Sequence, residues 1–280
     1  MADIKITTAI VIYNKRICES ITCQRIKEID SNIDVLVLDN SEKKNDNQSY
    51  CAKNGMRYIS MEGNKGLSKA YNVAVENSKD SDVIVLFDDD TEISAEYFIK
   101  LKNALIKHPE VDIFAPIIKG QDGVIYSPNE FNFLKNHFID SPNQKVSQNS
   151  FNAIASCLAI RMRVFDNYRF NEKLFVDQVD QYFFCEQRKL GRRFAKLDIE
   201  ILQHFYQRGA SLTPAAGWRR LQLRIFDIFR HARLMGGSKY TFLAFVKCCG
   251  LGVQIGKKSK SVIVIMKATC LSFKLLFVDR

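Results

Sequence analysis

The stretch Val83 to Glu92, VIVLFDDDTE, limits what this chain can fold into more than any other. Its five apolar residues, Val83 to Phe87, are too few for a lone buried helix and too rich in β-branched side chains to prefer one. They read as an interior strand of a parallel sheet. Three carboxylates follow without a gap: Asp88, Asp89 and Asp90. Adjacent carboxylates repel, and a chain places three at the end of a buried strand only where a cation or a ring of donors compensates. Open α/β sheets bind ligands at that carboxyl edge, and oxygen ligands alone suit Mg²⁺ or Mn²⁺ rather than zinc. An isolated acidic triplet is more often a solvated turn, so the weight rests on what surrounds it.

Two earlier runs repeat the pattern. Ile4 to Tyr13 is a β-branched strand ended by Asn14-Lys15, and Ile33 to Leu38 is a second strand ended by Asp39-Asn40-Ser41. Between them Ile17, Ile21 and Ile29 recur on a helical face. Lys43 to Gln48 reads as a polar loop, and Met56 to Met61 as a third, weaker strand. Gly63-Asn64-Lys65-Gly66 opens a helix with Leu67, Tyr71, Ala74 and Val75 on its apolar face. Ser94 caps the next helix and Pro109 stops it. Val111 to Ile118 is another strand. From Lys119 to Ser150 the pattern dissolves into Gly, Asn, Ser and Pro, with a hairpin signal at Val124 to Tyr126; so long an irregular stretch is expected to act as a substrate lid. Order returns with Ala153 to Met162 and with a helix from about Gln178 to Leu190. The alternation predicts an α/β fold with a doubly wound, mostly parallel sheet.

Charge divides the chain. Residues 211–280 hold thirteen Lys and Arg against Asp227 and Asp279, a balance of +11, which leaves the first 210 residues at −1 of the total +10. Two parts follow: a catalytic domain over 1–210 and a basic C-terminal helical appendage over 211–280 whose partner is anionic. The eight cysteines form no CxxC pair and no zinc spacing, which favours a reducing, cytoplasmic compartment. No signal peptide and no spanning helix are expected, since lysines interrupt every apolar candidate.

Three smaller signals carry chemistry. GNKGLSKAYN lacks both the GxxxxGK[ST] and the GxGxxG spacing, so it is neither a Walker-A nor a dinucleotide fingerprint. FVDQVDQYFF, residues 175 to 184, sets Asp177 and Asp180 at i, i+3 near a helix start, where the dipole favours an ionised carboxylate; acidic helix caps are equally common there. His204 follows a short apolar run, Ile199 to Leu202, a place where a lone histidine is more often packed than ligating.

Taken together, VIYNK (Val11 to Lys15), VLDNS (Val37 to Ser41), GNKGLSKAYN (Gly63 to Asn72), LFDDDTE (Leu86 to Glu92), FVDQVDQYFF and LQHF (Leu202 to Phe205) resemble the family-2 glycosyltransferases of GT-A fold. Within them the chain looks most like the rhamnosyltransferase-like and galactofuranosyltransferase-like branch. The resemblance covers about Ile4 to Gly209. It implies a nucleotide-diphosphate-sugar donor over the strand ends, with Tyr13 and Asn14 at the nucleotide, Asp39 reading the base, and Asn64 and Lys65 on the donor side. Asp88 and Asp89 belong to the DxD motif facing ribose or diphosphate. Asp90 and His204 match the metal ligands, and Asp180 matches the catalytic base. Two departures touch the acceptor side: Val179 stands where the family usually has an acid before the base, leaving Asp177 in that role, and Glu186 replaces an arginine, with Arg188 nearby.

Transfer to a hydroxyl needs a base for the attacking oxygen and neutralisation of the departing diphosphate. One base and no evident second nucleophile imply inversion. The expected activity is a divalent-cation-dependent (Mg or Mn) hexosyl transfer to a glycan or lipid-linked acceptor in bacterial surface polysaccharide synthesis. A nucleotidyltransferase and a catalytically silent nucleotide-sugar-binding relative are the alternatives. In the tail, Trp218 to Met235 gathers Leu221, Ile225, Ile228, Phe229 and Ala232 on one arc, with Arg219, Arg220, Arg224, Arg230 and His231 opposite. That pattern fits a helix packed on the catalytic domain and a helix lying on an anionic membrane on its cytoplasmic face equally well. No nucleic-acid module is recognisable. Because every matched motif precedes Gly209, a chain ending there is expected to keep the donor site.

Overall fold

The computed structural model describes residues 4–29, 33–205 and 212–278. Strands β1 (Ile6–Ile12), β2 (Asp34–Asp39), β3 (Arg57–Ser60) and β4 (Val83–Phe87) pair in parallel in the order β3-β2-β1-β4. Successive β4 residues serve opposite faces. Ile84 and Leu86 join Ala70, Tyr71, Ala74 and Val75 of α3 (Leu67–Glu76). Val83, Val85 and Phe87 join Cys23 and Ile26 of α1 (Ile21–Ile29) and Tyr97, Leu101 and Leu105 of α4 (Ala95–Lys107). A strand buried on both faces has no polar alternation, which is why it was legible as an unbroken apolar run.

The second half of the sheet departs from a simple doubly wound order. After β6 (Ile113–Gly120) the chain returns as β11 (Leu158–Arg161), which lies between β4 and β6 and runs antiparallel to both. The last long strand, β12 (Phe194–Gln203), is parallel to β6 and then pairs with the two-residue β5 (Thr91–Glu92) directly after the acidic triplet. The carboxyl ends of β1, β2, β4, β6 and β12 therefore meet at one edge, together with the chain entering β11.

Two segments expected to be irregular are ordered. The polar loop at 43–48 runs into α2 (Asn47–Lys53). The stretch 119–150 carries β7 (Ile125–Ser127), which pairs with β6, and β8 (Asn129–Phe131) and β9 (Asn136–Phe138), which form a three-stranded sheet with β10 (Phe151–Asn152). These strands hide from pattern reading because each is only two or three residues long and their buried set mixes apolar side chains such as Ile125, Phe131 and Phe151 with amides. Asn129 and Asn152 are both fully buried, and the Asn152 amide donates to Asn129 Oδ1 at 3.0 Å while Asn129 donates to the Tyr126 carbonyl at 2.7 Å. Buried amides survive when paired, and the partners are 23 residues apart.

Helix α5 (Val179–Lys189) leads into β12; residues 206–211, and with them the expected boundary at 210, lie outside the described set. The tail forms three helices: α6 (Pro214–Met235), α7 (Ser238–Lys258) and α8 (Val262–Phe277). Thr213 caps α6 by accepting the Ala216 N–H, and Pro214 occupies its first turn. The apolar arc of α6 is internal: Leu221, Ile225, Ile228, Phe229 and Ala232 pack with Ala244, Cys248, Val264, Ala268 and Leu275, and with Phe133 from the 119–150 region. His231, expected on the polar face, is also buried, as is Asp227, because Phe131, Phe133, Tyr182 and the 175–178 loop cover that side of the helix. All eight cysteines are free thiols. No helix among the described residues is long and apolar enough to cross a membrane.

Candidate active site

The backbone of the acidic triplet is pinned from α1 and the residue just before it. The Thr22 hydroxyl donates to the Asp88 carbonyl at 2.6 Å and accepts the Thr91 N–H at 2.9 Å, and Ser20 donates to the Asp89 carbonyl at 3.0 Å. The three side chains then diverge. Asp89 forms an ion pair with Lys15 at 3.0 Å. Asp88 and Asp90 share one donor: Gln203 Nε2 lies 3.0 Å from Asp88 Oδ2 and 3.0 Å from Asp90 Oδ1. Burial, then repulsion from Asp89, pushes the Asp88 carboxyl up to about 6. Burial, then Asp88 and Asp89, pushes Asp90 up to about 7.

Among the described residues no three His, Cys, Asp or Glu side chains converge as a closed metal cage. A Mg²⁺ or Mn²⁺ ion needs no such cage, since it is held by one or two carboxylates plus water and substrate phosphate oxygens. The residues fit that role. Two mutually repelling carboxylates face one point, and Gln203 Oε1 is buried beside them with no protein partner. Gln203 was not identified from the sequence; the signal was its place immediately before His204 at a strand end.

His204 itself sits differently from its expected role. Its main-chain N–H donates to the Asp90 carbonyl at 3.0 Å, whereas its ring is engaged by Glu92 Oε1 at 2.5 Å and by Gln121 at 3.3 Å. Neighbouring side chains along a strand point to opposite sides. With Gln203 aimed at the acids, the imidazole of His204 is turned away from them.

At the β1 and β2 ends the expected donor residues interlock. Asn14, at a positive φ of 49°, accepts the Glu42 N–H at 3.0 Å through Oδ1, and its own N–H donates to the Ser41 hydroxyl at 2.8 Å. Tyr13 stands half exposed above this turn, with Glu42 at 3.3 Å from its hydroxyl. Asp39 is buried and takes hydrogen bonds from the Ser41 N–H, Asn45, Asn47 and Tyr58 at 2.8–3.1 Å. Burial raises its carboxyl, but the donors from Ser41, Asn47 and Asn45 outweigh it and hold the group below its ordinary value. Asn40, missed in the sequence, joins this turn to the next motif: it donates to Asn64 Oδ1 at 3.2 Å and accepts the Lys65 N–H at 2.8 Å. The Lys65 side chain is exposed. Gly66 brings two motifs together, because its φ of 86° and the absence of a Cβ let Leu67 N–H reach the Phe175 carbonyl at 2.6 Å; a Cβ would lie 2.5 Å from that oxygen.

Opposite the triplet stands Asp180, in the first turn of α5, whose Oδ2 accepts the Ala155 N–H at 3.2 Å. The next residue, Ser156, reaches the triplet: its hydroxyl is 2.7 Å from Thr91 Oγ1 and 3.5 Å from the Asp88 N–H. The Ala155-Ser156 dipeptide, one residue short of β11, thus ties the base candidate to the acidic edge. The helix dipole was expected to keep Asp180 readily ionised. Instead burial, followed by repulsion from Asp88, pushes its carboxyl up to about 7, a value matched to proton transfer near neutrality. Buried Tyr71 senses both Asp88 and Asp180.

The loop before Asp180 is held by the tail. Asp227 of α6, fully buried, accepts the N–H groups of Phe175, Val176 and Asp177 at 3.0, 2.8 and 2.9 Å and pairs with Arg230 at 3.0 Å. Arg220 pairs with the Asp177 carboxylate, and Arg224 lies 3.8 Å from it. His231 contacts Gln178 Oε1 at 3.2 Å, and burial followed by the positive Lys247 pushes its ring down to about 3, so it is neutral. Asp227 also escaped the sequence reading, although a lone acid in a helix with five arginines was a visible signal.

The chain matches glycosyl transferase family 2 over residues 8–169 and belongs to that family; it is a glycosyltransferase with a mixed α/β fold of GT-A type. The match ends before α5, so Asp180 and Gln203 rest on geometry. Solved structures agree on the fold. Residues 1–349 of TarS from S. aureus superpose with a TM-score of 0.55 at 16% identity, covering 99% of this chain and 93% of that one. GalNAc-T7 with UDP, GalNAc and Mn²⁺ gives 0.59 at 11% identity, covering 97% and 57%. Glucosyl-3-phosphoglycerate synthase from Mycobacterium tuberculosis, with Mn²⁺, UDP-glucose and phosphoglyceric acid, gives 0.53 at 13%, covering 82% and 80%. No curated protein matches the sequence.

Proposed function

We propose that this glycosyltransferase moves a sugar from a nucleoside-diphosphate donor to an acceptor hydroxyl with inversion, in a divalent-cation-dependent reaction. The observation that carries the reading is Asp180 close enough to Asp88 to feel its charge, with Ala155-Ser156 holding Asp180 and the Asp88 backbone on one side and Gln203 bridging Asp88 and Asp90 on the other. Solved relatives hold a nucleotide sugar or a nucleotide with Mn²⁺, namely UDP-GlcNAc in TarS and UDP with Mn²⁺ in GalNAc-T7.

Asp180 takes the proton of the acceptor hydroxyl as its oxygen bonds to the anomeric carbon and the bond to the diphosphate breaks. A carboxyl held near 7 is part-ionised at neutral pH and takes up that proton without a large penalty. When bound, a divalent cation held by Asp88 and Asp90 would offset the charge growing on the departing diphosphate. Tyr13, Asn14 and Asp39 place the nucleoside, Asn64 and Lys65 border the diphosphate, and Lys15 keeps Asp89 fixed. His204 joins the cation only by leaving Glu92. Asp177 borders the acceptor while its charge is met by Arg220 and Arg224.

The reading keeps a catalytic part, 1–210, and a basic part, 211–280, with α6 serving both. The acceptor is a glycan or a lipid-linked glycan of a bacterial surface polysaccharide, reached at the cytoplasmic face of an anionic membrane, and the rhamnosyltransferase-like or galactofuranosyltransferase-like branch is retained on its motifs. The test is a panel of uridine- and thymidine-diphosphate sugars with Mn²⁺, read by phosphate products. Release of nucleoside diphosphate, lost on adding a chelator and in Asp90→Asn, is expected. Release of pyrophosphate would mean a nucleotidyltransferase, donor binding without turnover a silent relative, and near-wild-type turnover in Asp90→Asn a wrong cation site.

A further inference from the structure

We infer that the outward faces of α8 and α7 form the surface through which the protein lies on an anionic lipid bilayer. This rests on the membrane reading above and relocates it. The helix that looked amphipathic in sequence, α6, spends its apolar arc inside the bundle. The apolar residues left outside belong to the last two helices.

Helix α8 is apolar on two sides. Val264, Ala268 and Leu275 face the bundle interior. Val262, Ile263, Met266, Phe273 and Phe277 are each more than half exposed, from 56% at Phe273 to 75% at Phe277. At the helical repeat these five fall within an arc of about 100°, opposite the buried set. Phe242, Val246 and Val253 are 60%, 45% and 40% exposed along one stripe of α7. The two helices are pressed together at small residues: a Cβ on Gly252 would lie 2.7 Å from that of Ala268, and one on Gly256 would lie 2.3 Å from Ile265 Cγ1.

Charge names the occupant. From Ile228 to Val278 the sequence has nine Lys and Arg and no Asp or Glu. Lys257, Lys258 and Lys260 cluster at the α7–α8 turn, and Lys267 and Lys274 border the α8 arc; all five are exposed. A second copy of the same face would bring like charges together. An apolar stripe edged by lysines on helices too polar to span is the pattern of a helix lying in the headgroup boundary. Each lysine near an anionic surface adds attraction that salt screens.

The test is co-sedimentation of the full chain with vesicles of phosphatidylcholine alone or containing phosphatidylglycerol, with donor hydrolysis measured separately in vesicle-free solution. Wild type is expected to bind the phosphatidylglycerol vesicles, at least tenfold more weakly to phosphatidylcholine alone, and more weakly in raised salt. The double variant Phe273→Ser, Phe277→Ser should lose at least tenfold in binding with melting temperature and donor hydrolysis unchanged. Val262→Ser with Met266→Ser should behave alike. Wild type that ignores anionic vesicles, variants that bind as wild type does, or a face that instead dimerises the protein in light scattering would overturn the inference. Vesicle binding by a chain that fails to hydrolyse any donor would overturn the catalytic reading alone.

Discussion

Asp88, Asp90 and Asp180 are carboxyls whose protonation is raised by burial and then by neighbouring carboxylates, Asp89 for Asp88, Asp88 and Asp89 for Asp90, and Asp88 for Asp180, and two predictions belong to them. Asp180→Asn keeps the shape and the contact with Ala155 but cannot accept a proton. Donor affinity should survive while transfer falls by roughly 10² to 10⁴, measured as kcat against donor Kd. Asp177→Asn should cost less, because Asp177 is engaged by Arg220 and Arg224 rather than by Ala155 and the acidic edge; the reverse order would move the base to Asp177. The second prediction concerns pH. The folded carboxyls stand near 6 for Asp88 and near 7 for Asp90 and Asp180, above the roughly 4 of an unfolded aspartate. Raised groups bind more protons folded than unfolded, so without cation their contribution to stability is greatest below about pH 4 and is lost as pH rises through 7. On the proposed cation site, Mn²⁺ is expected to relieve that loss. At a hundredfold excess over its Kd it adds about 2.7 kcal/mol, or roughly 5–10 °C in Tm. Thermal melting should show the larger rise at pH 8 than at pH 5.5, and an equal rise at both would remove the cation from these carboxylates.

At the scale of elements, the loop that leads to the proposed base, Asp180, is held by a helix from the far end of the chain. Asp227 on α6 satisfies three consecutive N–H groups of the loop that sets the direction of α5, so removing the carboxylate leaves buried donors unpaired. Asp227→Ala should lower stability by about 3–5 kcal/mol, the usual cost of breaking a buried charged network from one side. Asp227→Asn, which keeps an acceptor oxygen, should recover part of it. The useful readout is the split between steps: in folded Asp227→Asn, kcat should fall more than donor KM rises, because the loop leads directly to Asp180, whereas it meets the proposed donor side through the bond from Leu67 N–H to the Phe175 carbonyl. Equal loss in both would make Asp227 a matter of stability alone.

Across the whole molecule, the two parts distinguished by charge share α6, and cutting between them is expected to damage both. The expectation that a chain ending at Gly209 keeps its donor site assumed that α6 gives nothing to the catalytic part. Cutting there removes Asp227, Arg220 and His231 and uncovers Phe133 and the 175–178 loop. The truncated protein should melt early or aggregate, and any folded fraction should have donor binding closer to normal than transfer. A cut within the α7–α8 turn, which spares α6, is the informative control. Thermal melting and donor titration of both truncations decide the point, and a stable, fully active 1–209 chain would refute the dependence.

The parallel half of the sheet, the acidic edge and the order of the motifs were fixed by local chemistry: unbroken β-branched runs bury on both faces, and three successive carboxylates at a strand end demand compensation. What lies close in sequence or repeats with the period of a strand or helix was therefore readable. The placement of β11 between β4 and β6, the paired buried amides of Asn129 and Asn152, and the aim of Gln203 at Asp88 and Asp90 were not. Each depends on partners 23 to 115 residues away. The same holds for the tail. Helical periodicity showed that α6 had an apolar arc, but an arc is the same whether it meets lipid or protein, and only the packing of α7, α8 and Phe133 against it turned it inward. Periodicity reports which residues avoid water; tertiary structure decides what replaces the water.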